Sequence, residues 1–151
     1  MRTGLIQLRD EKIRHGHYHL TVDAWVLRPD GRFLITQRAP EKIAAGQWEC
    51  TGGSVLYGED SLEGALRELR EETGLVLKPE NGHCVISQRR DECRDFKDVW
   101  LFRQDFSLAD VVLQPGETCD ARAVTPEEIR AMLADGTFVN IEYFEELMAL
   151  M

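Results

Sequence analysis

The alternation of apolar and polar residues predicts two strands joined by a turn near the start of the chain. Residues His19 to Leu27 alternate or run apolar, and Phe33 to Thr36 forms a second apolar run. Between them, Arg28 to Arg32 contains proline, aspartate and glycine, the usual turn residues. This pattern is typical of a β-hairpin. Further along, Trp48 to Thr51 predicts a short strand that runs into Gly52-Gly53.

From Asp60 onward the apolar spacing becomes that of an amphipathic helix. Apolar residues fall at i, i+3, i+4 and i+7, at Leu62, Ala65, Leu66 and Leu69. Asp60 followed by Glu63 is a capping-box pattern, and Gly74 can end the helix in the left-handed conformation. The sequence therefore predicts a helix over roughly residues 61 to 73.

The rest of the chain predicts further strands and two more helices. A turn is expected at residues 78–82, and Thr125 to Glu128 repeats the capping pattern with proline at the first helical position. These elements predict an α+β fold with a mixed sheet covered on both faces, in a single domain spanning residues 1–151. The predicted strands are Cys84–Ser87, Asp98–Phe106 and Thr118–Val124, and the last helix lies near Asn140–Leu150.

The amino-acid composition limits the kinds of molecule that this protein is expected to bind. Hydrophobic residues make up 43% of the chain and charged residues 30%, which is ordinary for a globular protein and too apolar for a disordered one. The 27 acidic residues outnumber the 18 lysines and arginines, and the net charge of −9 repels phosphate backbones, so no nucleic-acid partner is expected. A local group of carboxylates would instead attract a divalent cation, and through it a phosphate-bearing small molecule.

Neither the cysteines nor the N-terminus indicates a zinc ribbon, a redox motif or a membrane protein. The four cysteines form no Cys-x-x-Cys pair, which predicts reduced and mostly structural thiols. Residues Met1 to Glu11 lack a signal-peptide core, and the chain contains no apolar run of about 18 residues. We therefore expect a cytoplasmic protein without a membrane partner, as a monomer or a homodimer.

Three glutamates on the predicted helix carry the first candidate chemistry. Glu68, Glu71 and Glu72 stand at i, i+3 and i+4, so their carboxylates lie along one strip of the helix. Like charges at this spacing repel one another, and a bound divalent cation reverses that penalty. Gly52-Gly53 lets backbone approach such an ion or a diphosphate, because glycine has no Cβ. From periodicity alone, a solvated helix face is the simpler interpretation.

The complete pattern over residues 53–75 changes that balance. Five residues separate its first glycine from its first glutamate, and seven separate that glutamate from the arginine. The fixed positions are Gly53, Glu59, Arg67, Glu68, Leu69, Glu71, Glu72, Gly74 and Leu75. The sequence resembles the Nudix box at each of them. The resemblance implies an α/β/α sandwich, Mg²⁺ or Mn²⁺ as cofactor, and hydrolysis of the diphosphate linkage in a nucleoside diphosphate derivative, an acid anhydride in a phosphorus-containing compound.

The resemblance also implies roles for individual residues. Glu68, Glu71 and Glu72 resemble the metal-binding carboxylates, and Glu68 is also a candidate for activating water. Arg67 resembles the box arginine that orients the glutamates by salt bridges, and Glu63 and Glu71 lie four residues to either side of it. Glu68, Glu71 and Arg67 are therefore the candidate catalytic residues.

Further polar residues each have two interpretations. Glu59 either helps to bind metal or interacts with the helix N-terminus, and Glu117 resembles a downstream acidic residue that supplies an extra ligand or base. Arg38 and Lys42 either neutralise substrate phosphates or are solvated surface cations. We take Glu59 and Glu117 as candidate metal ligands, and Arg38 with Gly52-Gly53 as the candidate phosphate-binding group.

A second resemblance, over residues 19–48, is to type I isopentenyl diphosphate isomerase, a relative with the same fold. That enzyme needs a cysteine and a histidine where this chain has Gly52 and Ser54, and Cys50 lies two residues early. Isomerase chemistry is therefore an alternative function. A catalytically inactive nucleotide-sensing domain is another, against which the complete set of box glutamates argues.

Two other groups have competing interpretations. Histidines alternate along the N-terminal stretch and would form either a metal corner or the solvent face of a strand, at His15, His17 and His19. Scattered aromatic residues either stack on a base or, by default, pack in the core, namely Trp25, Trp48, Tyr57 and Phe102.

Overall fold

The computed structural model describes residues 19–151, which form one seven-stranded mixed sheet and three α-helices. The helices are α1 (Ser61–Thr73), α2 (Pro126–Asp135) and α3 (Phe144–Ala149), with short 3-10 helices at Pro79–Asn81 and Leu108–Asp110. The strands are β1 (His19–Leu27), β2 (Phe33–Arg38), β3 (Trp48–Glu49), β4 (Thr51–Ser54), β5 (Gly82–Arg90), β6 (Asp95–Arg103) and β7 (Thr118–Val124).

Strand β1 organises the sheet because its two edges pair with different partners. One edge pairs in parallel with β6 along the whole strand, from His19 opposite Asp95 to Leu27 opposite Arg103. The other edge pairs antiparallel with β4, where Gly52 lies opposite Asp23, and with β2 only at Leu27. Strand β2 also pairs with β3 and β7, and β5 pairs with β6. The Gly52-Gly53 segment is thus fixed against the middle strand.

The core has two layers, one on each face of the sheet. Val22, Ala24 and Val26 of β1 pack with residues of α1, whereas Trp25 and Leu27 pack with residues of α2 and α3. Because the second half of β1 is buried on both faces, its residues Ala24 to Leu27 form a continuous apolar run rather than an alternating one. The predicted α/β/α sandwich with a mixed sheet is confirmed.

Helix α1 has the ends that its sequence predicts. Asp60 accepts a hydrogen bond from the Glu63 backbone N–H at 2.8 Å, and the Glu63 side chain accepts one from the Asp60 backbone N–H at 3.0 Å. Gly74 ends the helix with a φ of 74°. Ala65 and Leu69 face the core and are almost fully buried. Local capping and burial of one face therefore fix where α1 lies on the sheet.

The later elements differ from their predictions mainly in their bounds. β7 and the start of α2 are confirmed, but β6 begins at Asp95 rather than Asp98 and ends at Arg103. Strand β5 is longer than predicted because it lies at the end of the strand order, where exposed polar residues are tolerated. Residues 79–81 form a 3-10 helix within the predicted turn, and α3 is shorter than expected.

The prediction of mostly structural thiols is wrong for three of the four cysteines. All four are free, but only Cys50 is buried. Cys84, Cys93 and Cys119 are exposed, since they lie on the outer strand β5, in the turn after it and on β7. Among residues 19–151, no helix combines the length and apolar character needed to cross a membrane.

Replacing Leu69 by alanine tests the layer that holds α1 on the sheet. The side chain is 1% exposed, so Leu69→Ala should lower the free energy of unfolding by about 2–5 kcal/mol through lost burial and a residual cavity. Urea unfolding measures the change. The control Val76→Ala, at a side chain that is 77% exposed, should change it by no more than about 0.5 kcal/mol. Equal losses in the two variants would contradict this packing.

Candidate active site

Arg67 joins three glutamates and a strand in one hydrogen-bonded group. Its Nε donates to Glu59 Oε2 at 2.8 Å, and its Nη1 donates to Glu68 Oε1 at 3.0 Å and to Glu71 Oε2 at 2.9 Å. Its Nη2 donates to the Ser54 carbonyl oxygen at 2.9 Å. Burial alone lowers the pKa of Arg67, but the carboxylates around it raise that pKa above its ordinary value. The guanidinium therefore stays charged and ties α1 to the end of β4.

Glu59 forms a direct ion pair with Arg67. One of its oxygens accepts from Arg67, and the other, Oε1, accepts from the Leu56 backbone N–H at 2.9 Å. The N-terminus of α1 is capped by Asp60 and Glu63 instead. Glu63 is thereby committed to the capping box, so the glutamate on the C-terminal side, Glu71, is the i±4 partner that contacts Arg67.

Glu72 differs from its neighbours because its partly buried side chain accepts no hydrogen bond and forms no ion pair among residues 19–151. The pKa of Glu72 is raised from its ordinary value of 4.5 to about 8, and burial is the largest cause. The negative charges of Glu68, Glu49 and Glu117 contribute to this rise, and the charge of Lys42 opposes it. An unpaired carboxylate among other carboxylates is unfavourable unless a proton or a cation neutralises it.

The fold brings Glu117 to α1 from a distant part of the sequence. It lies just before β7, where Thr118 donates from its hydroxyl to the Glu72 carbonyl oxygen at 3.4 Å. The Glu117 carboxylate forms an ion pair with Lys42, in the loop between β2 and β3. Neither residue is an isolated surface charge, since each has the other as its partner.

Arg38 and Glu49 form a second ion pair beside Glu72. Arg38 Nη1 donates to both carboxylate oxygens of Glu49, at 2.9 and 3.0 Å, and Arg38 Nε donates to the Ile43 carbonyl oxygen at 2.7 Å. Burial raises the pKa of Glu49, and the charge of Arg38 opposes that rise. Glu49 is not among the residues predicted from the sequence; the feature that could have indicated it is an acidic residue between the apolar Trp48 and Cys50.

The two glycines of β4 face opposite sides of the sheet, and each is closely packed. A Cβ on Gly52 would lie 2.8 Å from the Val22 carbonyl oxygen and 2.8 Å from Asp23 Oδ1. A Cβ on Gly53 would lie 2.5 Å from Glu68 Oε1. Any other residue at these positions would displace a neighbouring group, so glycine is needed for close approach rather than for a special backbone conformation.

A buried polar network around Asp23 packs against Gly52, and its residues are not among those predicted from the sequence. Asp23 accepts a hydrogen bond from the Tyr143 hydroxyl at 2.6 Å and two from Lys97 Nζ at 3.1 Å. Trp25 Nε1 donates to the Tyr143 oxygen at 2.9 Å. The network joins β1, β6 and the start of α3, and its signal was a single acidic residue within the apolar run of β1.

Other candidates from the sequence lie elsewhere. His15 and His17 fall outside the residues that the structure describes, and His19 begins β1. Tyr57 is 76% exposed in the loop between β4 and α1. The remaining aromatic candidates, Trp25, Trp48 and Phe102, are buried in the core.

The donor set suits a hard divalent cation, although the side chains do not converge into a finished site. No three acidic, cysteine or histidine side chains within residues 19–151 are placed to hold a metal ion as they stand. Arg67 binds one oxygen each of Glu68 and Glu71, while Glu72 has no partner for its charge. Carboxylate oxygens are the ligands that Mg²⁺ and Mn²⁺ prefer, so these residues fit such an ion chemically.

Comparisons with known proteins identify similar chains. A family model described as the NUDIX domain matches residues 17–147. An uncharacterized Nudix hydrolase of Listeria monocytogenes is 33% identical over 150 residues, covering 98% of this chain and 88% of the relative. The crystal structure of DR0079 from Deinococcus radiodurans has a TM-score of 0.73 at 22% identity, covering 95% of this chain and 90% of that one.

A further solved structure shares the fold over a smaller part of its own chain. It is a bifunctional NMN adenylyltransferase/ADP ribose pyrophosphatase from Francisella tularensis, complexed with AMP and a manganese ion. Its TM-score is 0.64 at 22% identity, over 87% of this chain and 40% of that chain. At this level of identity the likeness concerns the fold alone.

The resemblance to isopentenyl diphosphate isomerase is not borne out. The relative and the family model that match this chain are of the Nudix hydrolase type. Cys50, the nearest thiol to the Gly52-Gly53 segment in sequence, is buried, and burial raises its pKa well above the usual range. A thiol in such surroundings is not a reactive nucleophile.

The raised pKa of Glu72 predicts how the stability of the metal-free protein depends on pH. Between pH 4.5 and about 8, the unfolded chain has released the Glu72 proton while the folded protein still holds it. Stability from this group is therefore full below pH 4.5 and is lost as pH rises through about 8. Denaturant unfolding across this range should show the decline in wild type and a smaller one in Glu72→Gln. Identical pH profiles would rule out this assignment.

The two glycines should respond differently to alanine. In Gly53→Ala the new Cβ meets the flexible end of Glu68, so folding is largely kept. With Glu68 in the catalytic role predicted from the sequence, its displacement should lower turnover by about a hundredfold, a typical effect of an ångström-scale misplacement. In Gly52→Ala the new Cβ meets the Val22 backbone, which should lower the free energy of unfolding by about 1–3 kcal/mol. Thermal unfolding and turnover, measured on both variants, test this; a stability loss in Gly53→Ala as large as in Gly52→Ala would contradict it.

Proposed function

The chain belongs to the Nudix hydrolase family, and from this premise we propose that it hydrolyses the diphosphate linkage of a nucleoside diphosphate derivative with Mg²⁺ or Mn²⁺ as cofactor. The observation that carries the proposal is the state of Glu72. Its carboxylate has no hydrogen-bonding partner among residues 19–151 and lies close enough to Glu68, Glu49 and Glu117 for their charges to raise its pKa. Such a group is stabilised by a bound divalent cation.

We assign Glu68, Glu71 and Glu72 as the residues that hold the cation. When bound, the cation neutralises charge on the bridging and leaving phosphate oxygens and lowers the pKa of a water molecule. Glu68, beside Gly53, is the candidate to receive the proton from the attacking water. Arg67 orients Glu68 and Glu71 through one hydrogen bond to each.

Glu59 and Glu117 have less direct roles in this proposal. Glu59 holds the Arg67 guanidinium in place, so it acts on the other glutamates through that arginine. Glu117 has an ion-pair partner in Lys42, and its carboxylate is a further ligand or base when that pair opens. Each remains a candidate metal ligand.

The diphosphate is proposed to lie between the glutamates and the β2–β3 loop. Gly52 and Gly53 present backbone without side chains at this place, and Arg38 supplies a fixed cation next to Glu49. AMP and manganese in the complex of the Francisella tularensis structure are consistent with a nucleotide and a divalent cation as ligands of this fold. This supports a nucleoside diphosphate derivative as the substrate class.

The remaining predictions follow from the sequence and stay predictions. They are a single domain over residues 1–151, a cytoplasmic location, a monomer or homodimer, and no nucleic-acid or membrane partner. The net charge of −9 favours a small phosphate-bearing substrate recruited with its cation over a polyanion.

Glu71→Gln tests the reaction and its site together. Removing one metal-binding carboxylate should lower turnover at least about a hundredfold, because about 2.7 kcal/mol of transition-state stabilisation is lost. Phosphate release after a coupled phosphatase is measured on a panel of nucleoside diphosphate derivatives with Mg²⁺ or Mn²⁺. The matched control is Glu127→Gln on α2, where the side chain is 78% exposed and turnover should not change.

The panel also separates this proposal from a sensing role. Turnover of one substrate class that is lost in Glu71→Gln and kept in Glu127→Gln supports hydrolysis at this site. No turnover on any substrate, together with a nucleotide that raises the melting temperature, would replace the hydrolase by a nucleotide-sensing domain.

A further inference from the structure

The Arg38 guanidinium is held on two of its three nitrogens and keeps the third available. Nη1 donates to both oxygens of Glu49, and Nε donates to the Ile43 carbonyl oxygen. Within residues 19–151, Nη2 makes no hydrogen bond. The Arg38 and Glu49 side chains are only 19% and 20% exposed, so the pair is not a loose surface contact.

The position of this pair relates it to the candidate active site. Glu49 lies on β3, three residues before Gly52, and its charge acts on Glu72 of α1. Lys42, from the same loop as Ile43, pairs with Glu117, whose charge also acts on Glu72. Arg38, at the end of β2, and Lys42, in the loop that follows, therefore pair with two carboxylates whose charges act on Glu72.

We propose that Glu49 is a positioning residue that fixes Arg38 so that Nη2 points at a phosphate oxygen of the substrate. This inference rests on the proposed function, which places the diphosphate beside these residues. A guanidinium with two fixed nitrogens has little freedom left, so binding phosphate through the third costs little additional side-chain entropy. Since Arg38 Nη1 donates to both Glu49 oxygens, Glu49 acts on the substrate through the arginine.

The inference predicts a loss of substrate affinity without loss of turnover. The phosphate contact exists in both the ground state and the transition state, so losing it raises KM and leaves kcat within about twofold. Glu49→Gln should weaken binding about tenfold, as expected when a fixed charge-assisted hydrogen bond becomes mobile. Arg38→Lys keeps the charge but loses the planar fork, and should weaken binding by a similar factor.

Binding is measured by calorimetric titration with imidodiphosphate, a nonhydrolysable diphosphate, in the presence of Mg²⁺. The matched control is Glu145→Gln, which alters another bidentate arginine pair, Arg130 with Glu145, between α2 and α3; affinity should not change. In an Arg38→Lys background, Glu49→Gln should alter affinity by less than about twofold, since the two residues act as one unit.

The binding and kinetic measurements on these variants either support or overturn the role proposed for Glu49. A tenfold loss from Glu49→Gln that persists in the Arg38→Lys background, or a fall in kcat at unchanged affinity, would show that Glu49 acts independently and would overturn the inference. Failure of wild type to bind imidodiphosphate would overturn it as well. If wild type binds the probe, Glu49→Gln weakens that binding and no substrate is hydrolysed, the inference stands while the proposed function fails.

Discussion

The hydrogen bonds of the Arg67 guanidinium are the interaction on which the candidate active site depends. One partly buried cation binds Glu59, Glu68 and Glu71 and also holds the Ser54 carbonyl oxygen at the end of β4. Without it, three carboxylates would repel one another at short range in a partly buried place. Arg67 therefore allows a helix to carry this density of negative charge, and it fixes the distance between that helix and the Gly52-Gly53 segment.

Glu72 is a carboxylate of the candidate active site that Arg67 does not neutralise. Glu72 faces Glu49 and Glu117, each of which has its own cation in Arg38 or Lys42. Glu72 has none, and burial together with the neighbouring negative charges raises its pKa to about 8. A protein can keep such a group only when the rest of the fold offsets its cost or when a ligand neutralises it. This unbalanced carboxylate favours metal binding over a purely structural role for the helix glutamates.

The sheet supplies the rigid side of the site. Gly52 and Gly53 lie between Asp23 on one face and Glu68 on the other, with no room for a Cβ at either position. Asp23 is itself fixed by Lys97 and Tyr143, which come from β6 and from the start of α3. Buried charges of this kind are tolerated when they are paired and hydrogen-bonded. The backbone proposed to meet the diphosphate is thus supported from both faces.

The sequence alone determined the features that depend on neighbouring residues. The apolar spacing and the caps at Asp60 and Gly74 predicted α1 correctly, and the box pattern indicated the family, because both are local in the chain. Tertiary structure alone decided the bounds of β6, where Asp95 is buried by pairing with β1 and by Arg90. It also decided the partners of the charged residues: Arg38 with Glu49, Lys42 with Glu117, and Asp23 with Lys97 and Tyr143. Most of these contacts join residues far apart in the chain, and a hydrogen bond or a pKa depends on distance and burial in three dimensions, which residue spacing does not encode.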